Sequence, residues 1–259
     1  MQARRLTRVL TYEARGPVAW LALDRPEKLN AQPQTFWGEL RELMARVAHD
    51  DAVRVAVFHG VGKAFSVGGD IESFGGLTGT AERRAYVADA MAAFQAVENL
   101  PKPTIAAVHG YALGGGCELT LVCDIVVADE TARFGMPETA VGLVPGLGVV
   151  RGRAHVNLHT LKYMILTGEQ LNAHDARLAG LVNVVVPEGR HLAEAERLAE
   201  LIAERSPLAA AAAKNILGRG SLEGYAHAID AVAMLQGSED HAEGIAAFTA
   251  RRPAAFKGR

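Results

Sequence analysis

The stretch over residues 103–148 constrains the fold of this chain more than any other part of the sequence. The apolar run 104–108 predicts a buried strand, and a glycine-rich turn containing Gly110 and Gly114-Gly115-Gly116 follows it. The apolar segment 117–123 then predicts a buried helix. A strand, a glycine turn and a helix in that order leave free backbone N–H groups at the helix N-terminus, where anions and developing oxyanions bind.

Two of the carboxylates in this stretch are candidates for chemistry. Glu118 falls in the first turn of the predicted helix, and Glu138 follows Pro137 after a further short apolar piece. An ionisable side chain in an apolar run needs a partner or a function, because burying its charge is costly. Taken singly, Glu118 could serve the helix dipole and Glu138 could cap a turn. As a pair, they are candidate catalytic carboxylates.

A second strand with a glycine-rich loop precedes the first. Val53, Val55 and Val57 alternate, which predicts a strand, and the loop over residues 60–70 follows it. Strand–loop–helix units of this kind fill the first two-thirds of the chain, and predicted helices dominate the last third. The fold class is therefore α/β.

Other elements follow from periodicity and from turn residues. The runs 9–12 and 18–23 predict a β-hairpin. Leu181 to Val186 reads as a strand, and Ser206-Pro207 reads as the start of a helix. Further helices are predicted for the segment around residues 36–47, residues 81–98, a segment ending near Gly168, residues 175–179, the segment from Leu192 to Ile202, and a last segment after Ser238.

Composition limits the functional classes. A chain of 259 residues with net charge −2 offers no electrostatic basis for binding nucleic acid or a membrane surface. No apolar run is long enough to span a bilayer, and Cys117 and Cys123 read as small buried side chains in a reducing compartment. We therefore expect a cytoplasmic protein without nucleic-acid or membrane partners. No set of histidine, cysteine and acidic residues has metal-ligand spacing, so no metal is expected.

Four segments carry a family resemblance in the order in which they occur. They are RPEKLNA (25–31), GKAFSVGGDI (62–71), GYALGGGCEL (110–119) and FGMPE (134–138). The C-terminal EGIAAFTARRPAAFKGR adds to them, so the resemblance covers nearly the whole chain. In these segments the chain resembles the crotonase superfamily, and it is most similar to enoyl-CoA hydratase.

The resemblance implies a crotonase-like (ClpP/crotonase) α/β fold, a spiral of ββα units with a C-terminal helical region. Residues 1–205 would form the spiral core, and residues 206–259 would form a helical trimerisation region. Homo-oligomers, trimers or hexamers, are implied. The implied substrate is an acyl-CoA thioester. No separate cofactor is expected, because coenzyme A is part of that substrate.

The resemblance also assigns site residues. The backbone N–H groups of Val67 and Gly115 would form an oxyanion hole for the thioester oxygen. Glu118 and Glu138 would share the handling of water and protons. Substrate-binding roles are implied for the 25–31 loop, the second glycine loop and one glycine after the second glutamate, namely Lys28, Ala31, Gly68, Gly69, Asp70 and Gly146.

The chemistry of hydration suits these residue types. Addition of water to an α,β-unsaturated thioester passes through an enolate-like transition state, which two pre-oriented N–H donors stabilise. Water then needs a base, and Cα needs a proton, so two carboxylates flanking one water can divide the work.

Departures from the family pattern leave the acyl group open. The segment 146–151, GLGVVR, stands where members often carry GGTQRL, and Val67 stands where alanine is common, which narrows the acyl pocket. Three alternatives to the hydratase remain: an enoyl-CoA isomerase that needs only Glu138, a hydratase-lyase acting on a cyclic or aromatic acyl-CoA, and a non-catalytic CoA-binding protein.

Overall fold

The structure is a computed structural model, and it describes residues 4–5, 9–74, 79–218, 232 and 237–259. The strands are β1 (Arg4–Arg5), β2 (Leu10–Arg15), β3 (Val18–Leu23), β4 (Val55–Gly60), β5 (Thr104–Val108), β6 (Tyr111–Leu113), β7 (Ile125–Asp129), β8 (Arg133–Gly135), β9 (Leu171–Asn172) and β10 (Val184–Val186).

The helices follow the strands in an alternating order and dominate after β10. They are α1 (Thr35–His49), α2 (Ile71–Phe74), α3 (Thr80–Glu98), α4 (Gly115–Val122), α5 (Gly148–His155), α6 (Leu158–Thr167), α7 (Ala173–Leu178), α8 (His191–Ala203), α9 (Pro207–Leu217) and α10 (Glu239–Ala250). Short 3-10 helices cover Pro26–Lys28 and Pro137–Val141.

A seven-stranded sheet with the order β1-β2-β3-β4-β5-β7-β10 organises the chain. The first two pairings are antiparallel, and every pairing from β3 onward is parallel. A smaller sheet of β6, β8 and β9 lies beside it. Because the parallel strands end at one edge, the loops that follow β4 and β5 are brought together there.

Both faces of the large sheet are covered by helices. Phe36, Leu40 and Phe94, from α1 and α3, belong to the larger buried cluster, on the face to which Leu21 of β3 points. Trp20 belongs to a second cluster, which includes two alanines of α8. The central strands read as continuous apolar runs because both of their faces are buried.

Most predicted elements are confirmed, and three strand limits are corrected. The first strand of the hairpin, predicted over 9–12, spans Leu10–Arg15. The strand predicted to start at Val53 starts at Val55, because the Val53 N–H donates to the Asp50 carbonyl in a turn. The strand predicted over 181–186 is limited to Val184–Val186. Leu181 instead donates its N–H to the Ala176 carbonyl behind α7.

The C-terminal helices are described in part. Ser206 caps α9, since its Oγ accepts the Ala209 N–H at 3.3 Å. Leu217 and Ile245 are exposed, and Ile229 and Leu235 lie outside the described residues. The division at residue 206 stays a prediction. Within the described chain, no helix is long and apolar enough to cross a membrane.

Candidate active site

The two glycine loops lie against each other. The Ser66 carbonyl accepts the Leu113 N–H at 2.9 Å, which joins the loop after β4 to the end of β6. A Cβ on Gly68 would lie 2.7 Å from the Gly115 nitrogen, and a Cβ on Gly116 would overlap the Ser66 carbonyl. Side chains are therefore excluded where the loops meet, and the backbone of both can reach a shared ligand.

The two predicted oxyanion donors differ in their hydrogen bonds. Gly115 is the first residue of α4, where a backbone N–H has no acceptor within the helix. The Val67 N–H instead donates to the Leu29 carbonyl at 3.1 Å. One predicted donor is thus placed at a helix N-terminus, and the other already has a backbone partner.

Glu118 is held by backbone N–H groups at the start of α5. Its side chain is buried, and its Oε1 accepts hydrogen bonds from the Leu147 N–H at 2.7 Å and the Gly148 N–H at 2.8 Å. Burial raises the pKa of Glu118, although the two N–H donors act in the opposite direction. The carboxylate is therefore fixed in position at the start of α5.

Glu138 lies in the 3-10 helix Pro137–Val141 and faces the first glycine turn. Its Oε1 would be 3.1 Å from a Cβ on Gly114, and its buried Oε2 has no hydrogen-bond partner among the described residues. Burial above all raises the pKa of Glu138 to about 7; its own backbone N–H lowers it, and the charge of Glu118 adds to the rise. The Glu138 carboxyl group thus lies at the glycine turn that begins α4, the helix that carries Glu118.

The predicted CoA-binding residues form ion pairs with other side chains. Lys28 pairs with Glu72. Asp70 accepts a hydrogen bond from Arg25 Nη1 at 2.6 Å, and that guanidinium holds the pKa of the Asp70 carboxyl below its ordinary value. The Arg25 guanidinium also donates to the Ala31 carbonyl at 3.3 Å. Arg25 therefore links the 25–31 loop to the end of the second glycine loop.

Gly69 and Gly146 occupy different edges of the site. Gly69 forms a parallel bridge with Gln32. Gly146 immediately precedes Leu147 and Gly148, the two residues that bind Glu118, and a Cβ on it would lie 2.9 Å from Cε of Met91. The predicted substrate-binding role of Gly146 stays a prediction.

His59, Cys117 and Cys123 have surroundings typical of structural residues. The ring of His59 packs edge-on against Trp20, with the two ring centroids 5.7 Å apart. Burial lowers the pKa of His59 to about 4. Cys117 and Cys123 are buried and unpaired. Across the part of the chain that the structure describes, no group of histidine, cysteine and acidic side chains is placed to hold a metal ion.

Comparison with known families gives a match over nearly the whole chain. Residues 13–259 match the family model described as enoyl-CoA hydratase/isomerase. The chain belongs to the enoyl-CoA hydratase/isomerase family. Membership identifies it as an enzyme of the enoyl-CoA hydratase type, and the family implies an acyl-CoA thioester as its substrate.

Relatives and solved structures of the family agree in length and fold. The 2,3-dehydroadipyl-CoA hydratase of Escherichia coli (strain K12) is 39% identical over 248 residues, which cover 93% of this chain and 96% of that protein. The mitochondrial enoyl-CoA hydratase of Pongo abelii is 35% identical over 245 residues, covering 93% and 83% of the two chains. The crystal structure of enoyl-CoA hydratase from Bacillus anthracis superimposes with a TM-score of 0.91 at 31% identity, over 96% of this chain and 99% of that one. The crotonase-like fold is confirmed.

Three polar residues near the family site were not predicted from the sequence as site residues. Asn30, with a left-handed φ of 59°, donates from Nδ2 to the Ala64 carbonyl at 2.7 Å. Arg25 holds Asp70, and Gln32 lies fully buried beside the glycine loops. The signal for Asn30 is its residue type, since asparagine tolerates the left-handed region. Gln32 carries no such local signal.

Proposed function

We propose that this enzyme is an enoyl-CoA hydratase that adds water in the syn sense to the double bond of a 2-enoyl-CoA thioester. The product is the 3-hydroxyacyl-CoA. The observation that carries the proposal is the placement of two carboxyl groups at the turn that begins α4: Glu118 is buried in the first turn of this helix, and Oε1 of Glu138 would lie 3.1 Å from a Cβ on Gly114. Neither a metal nor a cofactor takes part in this scheme, since CoA arrives with the substrate.

The different surroundings of the two carboxyl groups suggest a division of roles. Burial raises the pKa of Glu118, but its carboxylate accepts two backbone N–H donors, which act against that rise and orient it as the base that takes a proton from water. Glu138, with a pKa of about 7, can hold a proton at neutral pH and deliver it to Cα. We assign the base to Glu118 and the acid to Glu138.

The proposed reaction then proceeds through an enolate. A lone pair of the water oxygen forms the new bond to Cβ while Glu118 removes one of its protons. The π electrons of the Cα–Cβ double bond form a double bond between Cα and the thioester carbon, and the carbonyl π electrons move onto the thioester oxygen, where backbone donors of the glycine loops stabilise the charge. The carbonyl then re-forms as Cα takes the proton of Glu138, and a proton exchange from Glu118 to Glu138 returns both carboxyl groups to their starting states.

The test is hydration of crotonyl-CoA, followed as loss of the enoyl-thioester absorbance and as a mass gain of one water. The double variant Glu118→Gln, Glu138→Gln is the matched control, because it keeps the side-chain shapes and removes both proton functions. A shifted double bond without a change in mass would show an isomerase instead. A panel that includes 2,3-dehydroadipyl-CoA and cyclic or aromatic enoyl-CoA esters then defines the acyl group, and the E. coli relative supports the inclusion of the first.

A further inference from the structure

Met91 of α3 lies against Gly146, the residue that precedes the segment holding Glu118. A Cβ on Gly146 would be only 2.9 Å from Cε of Met91, so the end of the Met91 side chain covers this glycine. The backbone N–H groups of the next two residues, Leu147 and Gly148, donate to Oε1 of Glu118. A short stretch of backbone is therefore all that separates the Met91 methyl group from a candidate catalytic carboxylate.

The Met91 side chain is only partly buried. It packs against the larger buried cluster from outside, as a partly accessible residue at the edge of the core. Ala90 and Phe94, its neighbours on α3, are buried, whereas Val87, one turn before it, is exposed. Gly146 is partly accessible as well. Met91 thus lies where α3 passes from the core to a surface that a ligand can reach.

The direction of the acyl chain follows from the candidate catalytic groups. With the thioester oxygen at the Gly115 N–H, the first position of α4, water activated by Glu118 meets Cβ nearly one turn further along that helix. The acyl group therefore runs from the start of α4 towards Glu118. Beyond Cβ, the chain continues towards the segment that binds this carboxylate, where Gly146 and Met91 lie.

The residue type at position 91 suits the end of an acyl pocket. A methionine side chain is unbranched and apolar, so it fills an irregular gap beside an acyl chain without placing a charge there. Further apolar side chains surround this end of the pocket. Val87 on α3 is exposed, as are Leu143 and Val144, which shortly precede Gly146. Shortening the Met91 side chain would therefore open the pocket towards apolar surface, which accepts a longer acyl chain.

We propose that Met91 is a specificity-determining residue, which closes the acyl pocket beyond Cβ and restricts the substrate to short, unbranched 2-enoyl chains. This inference rests on the proposed function. Crotonyl-CoA carries only a methyl group on Cβ and ends before the Met91 side chain, whereas a longer chain meets it. One methylene group in a hydrophobic pocket changes kcat/KM by roughly tenfold or more, so one side chain is enough to select the chain length.

The test measures kcat/KM for hydration of straight-chain 2-enoyl-CoA esters, from the four-carbon to the ten-carbon ester, by the full-length enzyme. In the wild type, kcat/KM should fall by roughly tenfold or more from the shortest ester to the longest. Met91→Ala and Met91→Val should each raise the ratio of the ten-carbon to the four-carbon value by roughly tenfold. Two shortened variants are used so that poor folding of one leaves the other informative.

Matched controls separate this role from packing and from the proposed function. Met44→Ala truncates a methionine of α1 in the same buried cluster and should leave the ratio at its wild-type value. Met91→Leu keeps the side-chain volume and should retain the preference for short chains. Calorimetry with the unreactive butyryl-CoA and decanoyl-CoA gives a readout without catalysis, in which Met91→Ala should favour decanoyl-CoA. That result in a protein that hydrates no enoyl-CoA would refute the hydratase alone.

The decisive contrary result is an unchanged preference for chain length. If Met91→Ala and Met91→Val hydrate crotonyl-CoA and keep the wild-type ratio, the acyl chain does not meet Met91, and the hydratase stands without this inference. A higher ratio that appears equally in Met44→Ala would also overturn the proposal, since the effect would then be a general loosening of the core. A wild-type enzyme that hydrates the ten-carbon ester as efficiently as crotonyl-CoA would overturn it as well.

Discussion

Glu118 accepts the backbone N–H of Leu147 at 2.7 Å, so one candidate catalytic carboxylate also caps the segment that leads into α5. The same oxygen accepts the Gly148 N–H at 2.8 Å. These two hydrogen bonds join the first turn of α4 to the segment 146–151, which departs from the family pattern. A change in the segment around Leu147 and Gly148 would therefore act on the position of the Glu118 carboxylate.

The first prediction separates these two roles of Glu118. Glu118→Gln retains an oxygen that can accept the two N–H donors and loses the proton function, so hydration should fall by roughly 10²–10⁴ with little loss of stability. Glu118→Ala leaves both donors without an acceptor and should in addition lower the free energy of unfolding by about 1–3 kcal/mol. Rates with crotonyl-CoA and urea unfolding measure the two effects. Near-normal hydration by Glu118→Gln would contradict the two-carboxylate mechanism.

The second prediction concerns the pH dependence of activity. Glu138 has a pKa of about 7 and is the proposed acid for hydration, so its protonated form is lost as pH rises through that value. The kcat/KM for hydration should therefore fall above about pH 7. Dehydration of the 3-hydroxyacyl-CoA should show the same pH profile of kcat/KM, because the overall reaction takes up and releases no proton and the ratio of the two kcat/KM values equals its equilibrium constant. Profiles measured at constant ionic strength check the prediction, and a kcat/KM that stays constant through pH 7 would count against the assignment.

The third prediction concerns the effect of Glu138 on stability. Its pKa is raised from 4.5 to about 7 in the fold, so between these values the native state binds more protons than the unfolded state. Stability from this group is then present below about pH 4.5 and is lost as pH rises to about 7. Glu138→Gln removes the dependence, so the difference in Tm between variant and wild type should grow in favour of the variant from pH 5 to pH 8. A constant difference would contradict the raised pKa.

The fourth prediction concerns CoA recognition by Lys28. Its ion pair with Glu72 is partly exposed and therefore weak, so a CoA phosphate can compete for the lysine. Lys28→Met should raise KM for crotonyl-CoA, more at low salt than at high salt, and leave kcat largely intact. Glu72→Gln is the matched control, since it frees Lys28 and should not raise KM. An equal loss with a short thioester that lacks the nucleotide would contradict the role of Lys28.

The fifth prediction concerns assembly. Large exposed apolar side chains are concentrated between residues 141 and 178 and recur in the C-terminal helices, with Leu166 at 71% and Leu217 at 84% exposure. A closed homo-oligomer would bury such surface without a free edge. Light scattering at low micromolar concentration should give three or six times 27.5 kDa. Leu166→Glu or Leu217→Glu should lower this mass, with the corresponding alanine variants as controls, and a fully active wild-type monomer would contradict the prediction.

The pattern of apolar and turn residues within single segments was enough to predict most elements of the fold. The apolar run of β5 was predicted with its observed limits, Thr104–Val108, because a strand buried on both faces is a continuous apolar run. The four motifs likewise located the glycine loops and both glutamates. The strand predicted to begin at Val53 begins later, because the Val53 N–H donates to the Asp50 carbonyl in a turn.

Residue types and motif spacing were enough to identify the groups that could do chemistry, namely backbone N–H groups at glycine turns and carboxylates in apolar runs. The hydrogen bonds and the burial of these groups depend on the tertiary structure. The occupation of the Val67 N–H by Leu29, the capping of α5 by Glu118 and the burial of Gln32 against Gly115 join segments that are distant along the chain. Such bonds depend on how the loops after parallel strands converge at one edge of the sheet, and periodicity along a single segment carries no information about that convergence.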